Sequence, residues 1–316
     1  MIFKLIILTA ILWKIIFPIQ VIAGELDFCG TPPLGYLTDE ELSQRGVVSK
    51  ELRWENGKTL KVAFDFQRQD FRKTDICRFS SSFNACHSQI KREISKIAST
   101  WSQYGNIHFQ FDAPWEQAEI RIHFEKGGGG HSYVGNNALK IPKNKSTMLL
   151  RIGGYGFQRT VLHEFGHAIG FQHEHQSPKT RFHWNTQQIA NDLNWSLAQT
   201  IANITTPLDQ LEYINKTTLF TTRFDPQSIM VYWIPASWVS SVDKVNHSLC
   251  PSSKSNWCVE PTNYLSNLDK QTIEKMYPYE SSLPSNYPKC IDGKMKIEGK
   301  LDCCLDRNGN KQCFNR

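Results

Sequence analysis

The chain has 316 residues, of which 40% are hydrophobic and 21% charged, with a formal charge of +6. That length accommodates one catalytic-sized domain with a buried core and some appendages. The charge is small and evenly spread, and no recognition-helix pattern or aromatic-interleaved basic stripe accompanies it, so a nucleic-acid partner is excluded.

Residues 1–23 read as a secretory signal, with Lys4 in the charged region, Leu5–Ile16 as the apolar run and Ala23 at the cleavage point. Lys14 interrupts the run, which is short for a membrane span, so a secreted, extracellular protein without stable membrane insertion is expected. Losing Lys4 and Lys14 with the leader lowers the charge to about +4. An oxidising compartment suits nine cysteines. Their grouping predicts local bridges Cys77–Cys86 and Cys250–Cys258 and two more among Cys290, Cys303, Cys304 and Cys313, with Cys29 left over.

Residues 24–54 are Gly- and Pro-containing at the start and acid-rich, and read as a pro-segment. Alternation then predicts a strand over Thr59–Phe66, and Ile90, Ile94, Ile97 and Trp101 predict an amphipathic helix over residues 87–104. Strands are expected at Ile107–Phe111, Glu119–Phe124 and residues 147–152, with Gly127–Gly130 a flexible turn. No Lys-Ser/Thr pair follows that glycine run, so it is not a phosphate cradle. A second helix is expected from about Gln158 to Ile169. Residues 176–260 are polar and only loosely periodic, a last helix covers roughly Asn267–Met276 before Pro278, and residues 281–316 form a cysteine-dense tail. Five N-x-S/T sequences begin at Asn144, Asn194, Asn203, Asn215 and Asn246, acceptors only in a eukaryotic secretory pathway.

The chemistry concentrates in His163–His175, "HEFGHAIGFQHEH". On a helix, His163 and His167 share a face and present two imidazoles to one point. Gly170 tolerates the left-handed backbone that ends a helix, and His173 can then swing back to the same point. Three neutral histidines leave a fourth zinc position for water, as in a catalytic rather than a structural site. Glu164 stands beside the first ligand as a general base for that water. A solvated helix face with scattered histidines would also give a bare H-E-x-x-H, but not the glycine and third histidine at this spacing. His175 has no task in this scheme and is expected at the surface.

This stretch matches the metzincin zinc-peptidase signature, and Phe171 with Glu174 makes it resemble the astacin branch. "SIMVY", Ser228–Tyr232, resembles the Met-turn beneath the zinc in that clan. The resemblance implies a structural Met230, a Tyr232 that stabilises the oxyanion, and a Glu174 that meets the amine released by activation. Val231 stands where astacins usually have histidine, and the usual astacin cysteine framework is not evident. The resemblance covers roughly residues 55–279. It implies an α+β metzincin-like domain over residues 55–280, with a twisted mixed sheet, two long helices including the zinc helix, and an irregular lower subdomain carrying the C-terminal helix. It also implies one catalytic zinc ion, polypeptide substrates, and an edge strand over the cleft at Ser132, Tyr133 and Val134 that holds substrate main chain. "FCGTPP" resembles the matrixin pro-segment switch, which makes Cys29 either a latency switch on the zinc or a partner for a tail cysteine. The tail reads as a binding module for a partner or as a clamp on the catalytic domain. The expected activity is zinc-dependent endopeptidase; the alternative is a catalytically silent homologue that keeps zinc and binds peptides.

Overall fold

The computed structural model describes residues 52–279, apart from 68, 154–155, 178–179, 181, 208–223, 242–249, 251–255 and 261, together with three short tail strands. The signal, most of the pro-segment and Cys29 lie outside the described residues.

The upper half is built on a five-stranded sheet. Its strands are β1 (Thr59–Asp65), β2 (His108–Gln110), β3 (Ile120–Gly127), β4 (Gly130–Ser132) and β5 (Met148–Gly153), in the order β2-β1-β3-β5-β4. β1, β2, β3 and β5 run parallel, and β4 alone is antiparallel, paired with β5 at the edge. The sheet is therefore mixed, as expected. The glycine run is not one turn: Gly127 ends β3 and Gly130 already belongs to β4. That strand ends at Ser132, two residues earlier than the substrate strand read from sequence. The pairing of Gly130 with Leu150 captures the glycine into the sheet, a tertiary event that local turn chemistry does not register.

Helix α1 (Phe83–Ala98) buries Ile90, Ile94 and Ala98. It starts four residues before the expected 87, because the Ser82 side chain caps it by accepting from Ala85 N–H at 3.1 Å. It also ends early, and Trp101 sits in a separate 3-10 turn at Trp101–Gln103. The Cys77–Cys86 bridge closes the approach to this helix. Helix α2 (Phe157–Ala168) carries the zinc motif and is buried over its whole length from Arg159 to Ala168. A helix buried on all faces shows weak amphipathic periodicity, so its ligand spacing is the stronger sequence signal.

Below α2 the polar stretch after residue 176 holds α3 (Thr186–Leu193), α4 (Leu197–Thr200) and a π-turn at Ile201–Thr205. A two-stranded piece pairs β6 (Ile234–Pro235) with β7 (Trp257–Val259), and a disulfide joins Cys258 of β7 to Cys250. Helix α5 (Asn267–Met276) opens with a capping box between Ser266 and Asp269. Among the described residues the buried apolar side chains fall into two clusters. The larger lies between the sheet, α1 and α2 and reaches Met230; the smaller, in the lower half, holds Val231, Tyr232, Trp238 and Ile189. The Met-turn thus bridges the two cores. Leu52 and Trp54, which the sequence assigned to the pro-segment, are buried, Trp54 as part of the larger cluster. Trp54 Nε1–H donates to Ala168 O at 2.8 Å, at the end of α2.

In the tail, β8 (Lys296–Glu298), β9 (Leu301–Leu305) and β10 (Lys311–Asn315) form an antiparallel sheet in the order β10-β9-β8. No described helix is long and apolar enough to cross a membrane.

Candidate active site

The three histidines converge as their spacing requires. Helix α2 carries His163 and His167 one turn apart, and its C-terminus is closed by a Schellman arrangement. Gly170 N–H donates to His167 O at 2.8 Å and Phe171 N–H to Gly166 O at 2.9 Å. Gly170 has φ +108°, a conformation costly for any residue with a Cβ. The turn returns His173 to the helix, so that one nitrogen from each of His163, His167 and His173 lies within 4.8 Å of the others.

Hydrogen bonding sets which nitrogens are offered. His163 Nδ1 is 2.8 Å from Ile229 O and His167 Nδ1 is 2.8 Å from Phe171 O. A carbonyl only accepts, so both Nδ1 atoms carry the proton and both Nε2 atoms present a lone pair. His163 Nε2 is buried with no hydrogen-bond partner, and His167 Nε2 faces His173 Nε2 at 3.1 Å. Burial holds the imidazoles of His163 and His173 well below the ordinary histidine range, helped by their neighbouring rings, and pushes His167 down to about 4. They are neutral at pH 7. Two zinc–nitrogen bonds of about 2.05 Å at a tetrahedral angle put the nitrogens about 3.3 Å apart. The orphaned nitrogen and the 3.1 Å pair therefore fit a zinc ion.

Glu164, also on α2, is 1% exposed. Strand β4 passes close over it: a Cβ on Gly130 would lie 3.1 Å from Glu164 Oε1 and 2.6 Å from Leu149 O. Sequence reading missed Gly130, because a close backbone approach leaves no local mark beyond the glycine itself. Of the three residues expected on the substrate strand, Ser132 ends β4, while Tyr133 and Val134 follow it. Tyr133 N–H donates to Thr147 O and Arg151 N–H to Gly129 O, both at 3.0 Å. By antiparallel alternation the backbone groups of Gly130 and Ser132 face away from β5, along an edge that no other described strand pairs with.

The Met-turn is fastened from several sides. Asp269 accepts from Ser228 Oγ–H at 2.6 Å and from Ile229 N–H at 2.8 Å, and Ser228 Oγ accepts from Met230 N–H at 3.0 Å. Glu174 N–H donates to Met230 O at 3.0 Å, and the Glu174 carboxylate accepts from Asp225 N–H at 3.0 Å. Arg159 of α2 donates to Val231 O. Gly166 lets the turn come close, since a Cβ there would meet Met230 Sδ at 2.5 Å. Burial raises Glu174 to about 8 and Asp269 to about 6. The Tyr232 ring lies 4.6 Å from that of His173 and 6.1 Å from that of His163, centroid to centroid.

His175 is a correction. It is 1% exposed rather than a surface residue, 4.3 Å from the Tyr232 ring and 4.9 Å from the His173 ring. Among the N-x-S/T sequences, Asn203 is also buried, with Nδ2–H donating to Gln199 O at 2.8 Å. That leaves no room for a glycan there.

A mixed sheet over a buried helix, three convergent neutral histidines and a Met-turn beneath them define a zinc metallopeptidase of the metzincin type. The peptidase family described as Astacin matches residues 68–278, and the chain belongs to that family. Polypeptides are accordingly its substrate class. A structure of myroilysin is 27% identical, with a TM-score of 0.56, and covers 74% of this chain and 99% of its own. A crystal structure of myroilysin is likewise 27% identical, covering 81% and 99%, with a TM-score of 0.46. High choriolytic enzyme 1, a hatching-enzyme zinc protease from the medaka fish Oryzias latipes, is 16% identical over 74% of this chain and 98% of its own, with a TM-score of 0.41. No curated protein matches the chain.

Proposed function

We propose that the protein is a secreted, catalytically competent endopeptidase that cleaves internal peptide bonds of polypeptides bound in extended form. The observation that carries this is the placement of buried Glu164 on the same helix as the first two of three convergent, neutral imidazoles. His163, His167 and His173 would hold the zinc ion, which when bound would supply Lewis acidity toward the scissile carbonyl and the attacking water.

The remaining work falls to the chain's own groups. The Glu164 carboxylate takes the proton of the attacking water and passes it to the leaving amine. The Tyr232 hydroxyl donates to the oxyanion as charge develops there. The open edge of β4 pairs with substrate main chain through Gly130 and Ser132, so the binding register lies slightly upstream of the Ser132–Val134 reading. Tyr133 and Val134 then act at the end of that edge rather than through it.

The test of the chemistry is casein cleavage by zinc-loaded wild type beside Glu164→Ala. Loss of about 10²–10⁴ in kcat at unchanged zinc content is expected for removal of a general base. Equal rates would overturn the mechanism and favour a role for zinc without Glu164.

Latency through Cys29 rests on the sequence "FCGTPP" alone, since that residue is outside the described ones. A thiolate in the open coordination position would exclude water. Unprocessed Cys29→Ser protein should cleave casein without activation; undiminished latency would rule the switch out and favour a disulfide.

A further inference from the structure

We propose that His175 is a positioning residue for Tyr232, and that it is held in that role by the π-turn at Ile201–Thr205. The inference rests on Tyr232 acting at the oxyanion and adds what sets the place of its phenol.

Regular α-helical bonding stops at the π-turn, and its carbonyls are taken by side chains from the segment after the third zinc ligand. His175 Nε2 lies 3.1 Å from Asn203 O. Gln176 Nε2–H donates to Ala202 O at 3.0 Å and to Thr206 O at 3.2 Å. Both side chains are buried, so the turn Glu174–Gln176 is riveted to one short piece of the lower subdomain. Local π geometry inside a helix is often associated with function, and here it frees acceptors for these two residues.

Three aromatic rings then pack against one another from the rivet to the metal site, with His173 and His175 stacked and Tyr232 tilted or edge-on to them. His175 is 4.3 Å from Tyr232 at an interplanar angle of 37°, and 4.9 Å from His173 at 25°. Tyr232 is 4.6 Å from His173. Each ring touches the other two, so the His175 ring cannot shift without changing the seat of the phenol.

An apolar residue would fill this space without a polar burden. Asn203 O only accepts, so His175 Nε2 carries the proton and Nδ1 is an acceptor. Nδ1 is buried with no hydrogen-bond partner. Burying an unpaired acceptor is unfavourable and calls for a reason other than packing. The reason offered by the geometry is that the Nε2 bond fixes the ring plane, which leucine or phenylalanine cannot do. A phenol that must meet the oxyanion needs a defined wall behind its ring.

The test is a double-mutant cycle read by kinetics and by fluorine NMR. Zinc-loaded wild type, His175→Leu, Tyr232→Phe and the double variant are assayed on one casein-derived peptide. In parallel, 3-fluorotyrosine placed at position 232 reports the ring's surroundings in the presence and absence of His175. His175→Leu is expected to lower kcat at least tenfold with KM within about twofold and zinc content unchanged, and to shift or broaden the fluorine signal. In the Tyr232→Phe background the same substitution is expected to cost less than twofold. The same fractional loss in both backgrounds, or an unchanged fluorine signal, would overturn the proposal. Full activity of Tyr232→Phe would instead refute the oxyanion reading itself, and the positioning proposal would fall with it even if the ring moved. If His175→Leu does not fold, His175→Phe, which keeps the ring but cannot donate to Asn203 O, carries the same comparison.

Discussion

At the scale of single residues, glycine decides as much of this site as histidine does. Gly170 turns the chain so that the third ligand returns, and Gly166 admits Met230 under the histidines. Gly130 lets β4 pass over Glu164, and its missing side chain makes a sharp prediction. A methyl group there would lie 2.6 Å from Leu149 O, which is backbone, and 3.1 Å from Glu164 Oε1. Neither neighbour can retreat without cost, because one is in the β5 pairing and the other is buried. Gly130→Ala should therefore lower kcat/KM by about tenfold or more, equivalent to ~1.4 kcal/mol of barrier, while the zinc content stays at wild-type level. Steady-state kinetics with metal analysis checks this, and unchanged kinetics would show that the strand yields without disturbing the carboxylate.

Among elements, the coupling between α5 and the Met-turn carries most of the consequence. Asp269 serves both as the capping-box residue of α5 and as the acceptor for Ser228 and Ile229. Burial raises its pKa from 3.8 to about 6, opposed by those hydrogen bonds and reinforced by the Asp225 carboxylate. The folded state thus binds this proton more tightly than the unfolded chain. Its contribution to stability is full below about pH 4 and is lost as pH rises through about 6. Asp269→Asn cannot titrate, so the stability of wild type relative to this variant should fall by up to about 3 kcal/mol between pH 4 and pH 7. Protonation of the histidines is common to both proteins and largely cancels. Urea denaturation across that range measures the difference, and a difference independent of pH would mean that Asp269 ionises like an exposed carboxylate.

For the whole molecule, the zinc ligands stand where the two cores meet. His163 and His167 belong to the helix packed in the upper core, and Tyr232 to the lower cluster. The Leu52–Trp54 segment extends this unit. Trp54 N–H donates to Tyr277 Oη at 3.1 Å, Tyr277 Oη–H donates to Ile169 O at 2.8 Å, and Arg53 Nη1–H donates to Met276 O at 3.0 Å. These contacts join the end of α2 to the end of α5. We propose that the activating cut falls before Leu52, where Arg45 and Lys50 offer basic sites. A chain beginning at Glu55 should then be less stable than one beginning at Lys50 by on the order of 4 kcal/mol, from the lost burial of Leu52 and Trp54. Coincident denaturation curves for the two chains would place the segment outside the folded unit.

Much of this was legible in the chain itself. The ligand triad and the glycine turn were readable, because zinc geometry and helix periodicity are short-range constraints written in local spacing, and the Met-turn was readable through the family resemblance of Ser228–Tyr232. The strands and the long helices followed from alternation and helical periodicity, with ends shifted by caps such as Ser82. His175 was not legible: two positions past a ligand, in a polar stretch, it reads as exposed, and only the fold brings Asn203 O and Tyr232 against it. Gly130, Asp269 and Trp54 were hidden for the same reason. Their partners lie 34, 41 and 114 positions away in the chain, at Glu164, Ser228 and Ala168. The metal-binding group is written in local sequence, since its ligands come from one helix and the turn that ends it. The tertiary structure alone decided what surrounds that chemistry, because burial and contact between distant segments are properties of packing.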